Sequence, residues 1–317
     1  MFYNRAMATQ VTRPALEGTV AVRDGRRLGF AEFGRPQGRA VVWMHGTPGA
    51  RRQIPIEARA YADDANLRLI GLDRPGIGSS TPHLYADVGD WVEDLRLLLD
   101  TFGIDQTHII GLSGGGPYAL AAGALAPDRV TSVGVLGGVP PTVGPDAIDG
   151  GILDLAVRLA PIIRVTRVPL SVALTQVIRA VRPLAGIGLG LYAAVQPDGD
   201  KRLLGRPEFK AMFLDDLLHG ARFQTLAPLN DLLLFARDWG FTLAQVGVPV
   251  HWWHGVDDHI IPFAHGRHCV DRLPNATFTA QDGESHLGGL AIAREVLGRV
   301  TGREPEQSDG AMESSRA

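Results

Sequence analysis

Apolar and polar positions repeat along this chain with two different periods, and the order of those periods predicts its architecture. Residues 19–23 and 27–33 are short alternating runs on either side of Asp24-Gly25, a dipeptide that suits a tight hairpin. Residues 40–45 (AVVWMH) and 67–72 (LRLIGL) are nearly continuous apolar runs, as parallel strands buried on both faces should be. Between them 52–66 reads as helix. Residues 88–102 (VGDWVEDLRLLLDTF) carry apolar side chains at helical spacing and stop before Gly103. A strand at 108–112, a small-residue helix at 115–126 stopped by Pro127, and a strand at 130–136 follow. The alternation breaks near 140. From there to 246 no strong strand signal occurs, and the segment is apolar and helical in tone, with prolines at 161, 169, 183, 207 and 228. The pattern then resumes with a strand at 248–253, a helix at 262–273, a strand at 276–280 and a helix at 288–300.

Alternating strands and helices predict the α/β class: a mostly parallel, twisted sheet with helices on both faces. The expected organisation is an N-terminal extension at 1–18, an α/β core at 19–140 and 247–300, and a helical lid at 141–246 inserted into that core. A polar, turn-rich tail at 301–317 is expected to be disordered.

Composition narrows the function classes. A chain of 317 residues with 45% apolar and 21% charged side chains can bury a full core. The net charge is −3, the lysines are Lys201 and Lys210, and the arginines are scattered, so nothing favours nucleic acid as a partner. The single cysteine, Cys269, makes no intramolecular disulfide and has no CxxC partner. The first residues carry no apolar signal segment, so a cytoplasmic location is expected. The uncharged apolar run at 183–197 is too short for a span and is broken by glycines, so no transmembrane helix and no stable membrane insertion are expected. Membrane contact by an exposed lid face has no support in the sequence. The oligomeric state is not legible.

Candidate chemistry begins at Gly111-Leu112-Ser113-Gly114-Gly115, the one GxSxG in the chain, placed between a predicted strand and a predicted helix. A serine on such a turn sits in strained geometry that only small neighbours allow, with its hydroxyl lifted clear of the sheet. The Gly114 N–H then points where an oxyanion would form. A neutral serine is a poor nucleophile and needs a base. The loop HGTPG at 45–49 follows the 40–45 run and makes the Thr47 N–H the second oxyanion donor, with His45 in a structural role. Asp257 and Asp258 follow the 248–253 strand, and periodicity alone does not choose between them; Asp257 or His259 is expected to cap the helix starting near Pro262. His286 is the histidine beyond them that lies in a glycine-rich loop, whereas His265 and His268 fall on a predicted helix and read as surface residues. The order Ser…Asp…His is that of a nucleophile elbow with its partners downstream.

Together these motifs resemble the α/β-hydrolase superfamily across about residues 19–300. HGTPG looks like its oxyanion loop, DRPGIGSS (73–80) like its D-x-x-G-x-G-x-S turn, GLSGG like its elbow, and GESH (283–286) like its histidine loop. GVDDHIIP (255–262) looks like its acid loop, and that match selects Asp258 over Asp257. The resemblance implies a serine-nucleophile, esterase-like branch. Haloalkane dehalogenases and epoxide hydrolases of this superfamily use an aspartate where Ser113 stands; epoxide hydrolases also use lid tyrosines, and the lid here holds Tyr192 alone. Proline iminopeptidases share HG-x-PG but carry GGSWG at the elbow rather than GLSGG.

The implied function is hydrolysis of a small to medium, apolar acyl ester. Ser113 is the nucleophile, His286 the base, Asp258 the orienting acid, and Thr47 and Gly114 the oxyanion donors. No metal or organic cofactor is expected, since HExxH, CxxC and GxGxxG are lacking. Phe213, Phe223 and Trp239 are candidates to line the acyl pocket. Alternatives are the same fold with other chemistry (perhydrolysis or haloperoxidation, thioester, lactone, amide or C–C cleavage) or a ligand binder without turnover.

Overall fold

The computed structural model describes residues 13–303. Eight strands form one sheet: β1 (Leu16–Ala21), β2 (Arg27–Gly34), β3 (Arg39–Met44), β4 (Leu67–Leu72), β5 (Thr107–Leu112), β6 (Val130–Leu136), β7 (Val250–Gly255) and β8 (Ala276–Gln281). Their order is β1-β2-β4-β3-β5-β6-β7-β8. The hairpin β1–β2 joins β4 antiparallel, and every later pairing is parallel.

The buried strands show why they read as unbroken apolar runs. Along β3, Val42 and Met44 enter one core while Val41 and Trp43 enter the other. Each face of the sheet is covered, so both sets must be apolar. Helices α1 (Ile56–Asp64) and α11 (Ala293–Val300) cover one face; α2 (Val92–Thr101), α3 (Gly116–Leu125) and α9 (Phe263–Val270) cover the other. In α2 the buried residues Val92, Leu95, Leu98 and Leu99 recur at helical spacing. Each such Leu contributes about 1.5–3 kcal/mol by leaving water.

Between β6 and β7 lie α4 (Ile152–Val181), α5 (Ala185–Ala194), α6 (Asp198–Gly205), α7 (Pro207–Gly220) and α8 (Ala227–Phe235). Pro207 and Pro228 sit in the first turns of α7 and α8, where a missing N–H costs little. Pro161 and Pro169 lie inside α4, which runs on through them. The last predicted helix is two pieces, α10 (Gly288–Ala291) and α11, broken at Ile292.

Three expectations shift. β1 begins at Leu16, before the expected boundary at 19, because Leu16 and Glu17 pair with Glu32 and Ala31 of β2. Thr301 is buried and Arg303 donates to the Ala65 carbonyl at 2.6 Å, so 301–303 pack on the core; the remaining tail and residues 1–12 lie outside the described residues. Third, Val157–Ala194 has the length and apolarity to cross a membrane, with mean hydropathy 1.3 over its best stretch. Single arginines punctuate it, so it holds no long uncharged run.

Candidate active site

The chain leaves β3 to build β4 on one side, then returns to build β5 on the other, so the carboxyl ends of β3 and β5 diverge from a shared crevice. Open α/β sheets hold ligands at such a point. Met44 pairs with Gly111, which brings the loop after β3 beside the turn after β5.

On that turn Ser113 has φ 50°, a left-handed conformation costing about 1–3 kcal/mol for a residue with a side chain. Its glycines are required by space. A Cβ on Gly111 would strike the Gly115 carbonyl, one on Gly115 would strike the Met44 carbonyl, and one on Gly114 would strike Thr47 Oγ1. The last contact puts Thr47 and Gly114, the two expected oxyanion donors, against each other.

Ser113, Asp258 and His286 converge from the ends of β5, β7 and β8. The His286 Nε2–Ser113 Oγ distance is 2.8 Å, and His286 Nδ1–Asp258 Oδ2 is 2.7 Å. All three residues are buried. With Nδ1–H donating to the carboxylate, Nε2 presents its lone pair to the serine hydroxyl. Asp258 Oδ1 accepts the N–H groups of Ile260 and Ile261, each at 2.9 Å. Burial opposes ionisation of Asp258, but hydrogen bonds from His254 and His286 outweigh it and hold the carboxyl well below its ordinary range. Asp257 is exposed. Neither it nor His259 caps α9: Pro262 stands at the cap position without a side-chain bond, so that expectation is corrected. The turn is closed instead by Asp258 itself.

His254 is a residue that the motifs passed over. Trp252 Nε1 donates to its Nδ1 at 3.2 Å, which leaves Nε2 as the N–H end. That nitrogen lies 2.8 Å from the Ile261 carbonyl and 3.3 Å from Asp258 Oδ2. Among the other histidines, His265 is buried rather than on the surface, and His268 meets the Asp146 carbonyl at 2.9 Å. Both pack against the 146–151 segment, which a helical-face reading could not see.

The loop after β3 is held from several directions. His45 is buried, with Nδ1 2.7 Å from the Gly46 carbonyl, and burial followed by the Arg74 charge pushes its pKa well below the ordinary value. Gln53 Oε1 accepts Gly46 N–H at 2.7 Å. Thr47 Oγ1 donates to Asp231 Oδ2 at 2.7 Å, Arg74 bridges Thr47 and Asp231, and Tyr118 donates to Asp231 Oδ1 at 2.8 Å. Asp231 comes from α8, far along the chain, and no local motif announces it. Asp73, the first residue of the DRPGIGSS turn, accepts Arg51 N–H at 2.8 Å and Ser79 N–H at 3.0 Å, tying that turn to the same loop. On the histidine side, Asp200 of α6 accepts Leu287 N–H at 2.8 Å.

A cavity of about 520 Å³ opens over Ser113 and His286, with apolar walls including Leu174, Val181, Leu189 and Tyr192 of α4 and α5. Of the three aromatic candidates, Phe213 lines it, Phe223 is 58% exposed to solvent, and Trp239 packs on Phe241 in the core. Trp239 belongs to the segment after α8, which returns to the sheet. Among the described residues one carboxylate, Asp216, borders the cavity; both its oxygens accept backbone N–H groups, from Ala50 at 2.9 Å and Arg52 at 3.0 Å. Burial, then the nearby Asp73 charge, raise its pKa to about 7. Among the described residues no cluster of three or more His, Cys, Asp or Glu is placed to hold a metal ion.

This sheet order, with its helical insertion and a serine on the turn after β5, is the α/β-hydrolase fold. A family model described as alpha/beta hydrolase fold matches residues 39–158. Among curated proteins, the proline iminopeptidase of Xanthomonas citri is 35% identical over 125 residues, which span 38% of this chain and 38% of that protein. The proline iminopeptidase of Arabidopsis thaliana is 31% identical over 44% of this chain and 36% of that protein. The chain thus matches well under half the length of these relatives. Among solved structures, an esterase of a Rhodococcus species aligns with TM-score 0.63 and 21% identity, covering 90% of this chain and 98% of that one. An esterase of Exiguobacterium antarcticum aligns with TM-score 0.64 and 18% identity, covering 90% and 100%.

Proposed function

We propose that this protein is a serine hydrolase that cleaves apolar carboxylic esters through an acyl-enzyme. The observation that carries the reading is the hydrogen-bonded line from Ser113 Oγ through His286 to Asp258, at 2.8 and 2.7 Å, beneath an apolar cavity. In this mechanism His286 Nε2 takes the serine proton as Oγ attacks the acyl carbonyl. Asp258 keeps the imidazole in the required tautomer and stabilises the imidazolium. The N–H groups of Gly114 and Thr47 hold the tetrahedral oxyanion, each donor worth about 3 kcal/mol. His286 returns the proton to the departing alcohol, and water, activated by the same nitrogen, releases the acid.

The partial relatives named proline iminopeptidase favour a second reading, cleavage after an N-terminal proline. Such a substrate brings a charged amine, which calls for an accessible carboxylate. Asp216 is the carboxylate at the cavity, and its oxygens are engaged by backbone N–H groups. The apolar walls therefore support the ester reading. The test is turnover of p-nitrophenyl esters of increasing chain length beside proline p-nitroanilide, with fluorophosphonate labelling and a Ser113→Ala control. Ester turnover and labelling that vanish in the variant are expected. Faster turnover of the anilide would install the peptidase reading, and an inert, unlabelled wild type would reduce the fold to a binder.

A further inference from the structure

The helical insertion is built inside out. On α4, Ser171 and Thr175 are buried, with Thr175 Oγ1 3.0 Å from Thr225 Oγ1, while Val165, Val168, Val172 and Val177 face outward. Val165 is 80% exposed, and the exposure continues through α5, where Ile187 and Leu191 are 64% and 68% exposed, to Val195 just beyond it at 80%. A helix meant for water places its polar residues outward. A contiguous apolar surface of this kind marks a contact with something apolar.

The charges on the same stretch identify that contact. Between 157 and 194 the ionisable groups other than Tyr192 are five arginines, Arg158, Arg164, Arg167, Arg179 and Arg182, in a chain whose net charge is −3. Where α4 ends, Arg179, Arg182 and Arg222 line a cleft of about 220 Å³ with no acid in its walls. Ile178, Leu218 and Ala221 wall both this cleft and the cavity over Ser113. A second copy of the chain meeting this face through a two-fold axis would set arginine against arginine. Hydrocarbon beneath an anionic headgroup layer complements both the apolar side chains and the guanidinium groups.

We infer that the outer face of α4 and α5, with the adjoining arginine cleft, docks onto an anionic lipid surface. The helix lies in the interface rather than spanning the bilayer, because α4 is fastened to the body by Thr175 to Thr225 and by Arg179 Nη2 to the Arg222 carbonyl at 2.7 Å. Docking sets the shared wall of cleft and cavity against the lipid. It stands independently of the ester reading, and a separate measurement tests it.

Flotation of the full-length protein with phosphatidylcholine vesicles, with and without phosphatidylserine, reads the binding directly. Wild type is expected to float with the phosphatidylserine vesicles and to be released by salt. Arg158→Gln/Arg164→Gln/Arg182→Gln should weaken partitioning by about fivefold for each arginine. Val165→Gln/Ile187→Gln/Leu191→Gln/Val195→Gln should abolish flotation while circular dichroism and the thermal midpoint stay those of wild type, since all four side chains already face solvent. The inference is overturned if wild type floats with neither vesicle, or equally with both. It is also overturned if the four-glutamine variant floats as wild type does, or if sedimentation shows a wild-type dimer that this variant dissolves.

Discussion

Replacing Asp258 by Asn tests the orientation of the base more sharply than deleting any group. Asp258 Oδ1 accepts two backbone N–H groups, from Ile260 and Ile261, and Oδ2 accepts His286 Nδ1–H at 2.7 Å. An asparagine keeps the two backbone bonds only by placing its carbonyl oxygen where Oδ1 stands. Its NH₂ then faces His286 Nδ1 and donates to it. The imidazole must accept there and carry its proton on Nε2, so the atom 2.8 Å from Ser113 Oγ becomes a donor with no lone pair for the serine proton. The same inversion in a serine protease costs about 10⁴ in kcat. At about 1.36 kcal/mol per decade this is roughly 5.5 kcal/mol of transition-state stabilisation. The assay is the steady-state rate on the best p-nitrophenyl ester, with the fluorophosphonate labelling rate as a check independent of acyl specificity. Asp257→Asn is the control; that side chain is exposed and should keep its rate within a few-fold. A rate for Asp258→Asn within tenfold of wild type, or a larger loss for Asp257→Asn, would refute the assignment of the acid.

Ser113→Ala and His286→Ala should each lower kcat by about 10⁶, and the double variant by no more, because coupled groups do not add; additive losses in steady-state rates would break the coupling. Thr47→Val removes a hydroxyl that donates to Asp231 and accepts from Arg74 Nη2 at 2.7 Å, so urea unfolding should show about 1–3 kcal/mol of lost stability and turnover should fall with it; unchanged turnover would mean that the loop holds its shape without this bond. Asp216 has its folded-state pKa raised from 3.8 to about 7, so the stability it contributes is present below the unfolded value and is lost as pH rises through about 7. Asp216→Asn should therefore flatten the decline in unfolding free energy over that window by up to about 4 kcal/mol, and an equally steep profile in the variant would remove Asp216 as the cause. In Gly115→Ala the new Cβ meets the Met44 carbonyl, and the cost should be about 1–3 kcal/mol or more in a denaturant midpoint.

The parts of this molecule that were legible in its sequence are those whose physics is local. Val41 and Trp43 alternate with Val42 and Met44 between two cores, and such a run can hardly be anything but a doubly covered strand. Gly111, Gly114 and Gly115 around Ser113 are each demanded by atoms a few residues away or on the next strand. Other features depend on contacts made across long separations. Asp231 lies 184 positions from Thr47, and Asp200 lies 87 positions from Leu287. The burial of His265 depends on the 146–151 segment before α4, and the core position of Trp239 on where the chain goes after α8. Periodicity of one helix cannot report that. The length of α4 was hidden for a different reason: internal prolines argue for breaks, and isolated arginines interrupt an uncharged run, yet neither ends this helix.

The insertion does two distinct jobs, and its internal bonds divide them. Asp231 of α8 grips Thr47, the proposed oxyanion donor, and Asp200 of α6 grips Leu287 beside His286. Both acids are buried, and burial raises the Asp200 pKa, which keeps it a costly group to place without a purpose. These helices are therefore part of the scaffold that aligns the site, and a motion that lifted α6 or α8 would carry Thr47 or His286 with it. Among the described residues, α4 and α5 make no such bond to the loops that bear Ser113, Asp258 or His286; they contribute apolar wall to the cavity and apolar surface to the exterior. Access for substrate can thus change through α4 and α5 while the hydrogen-bonded line stays closed. Substitutions confined to their outer face should alter which substrates arrive without altering how fast Ser113 reacts with a small fluorophosphonate. A matching loss in both rates would show that the two jobs are not separable.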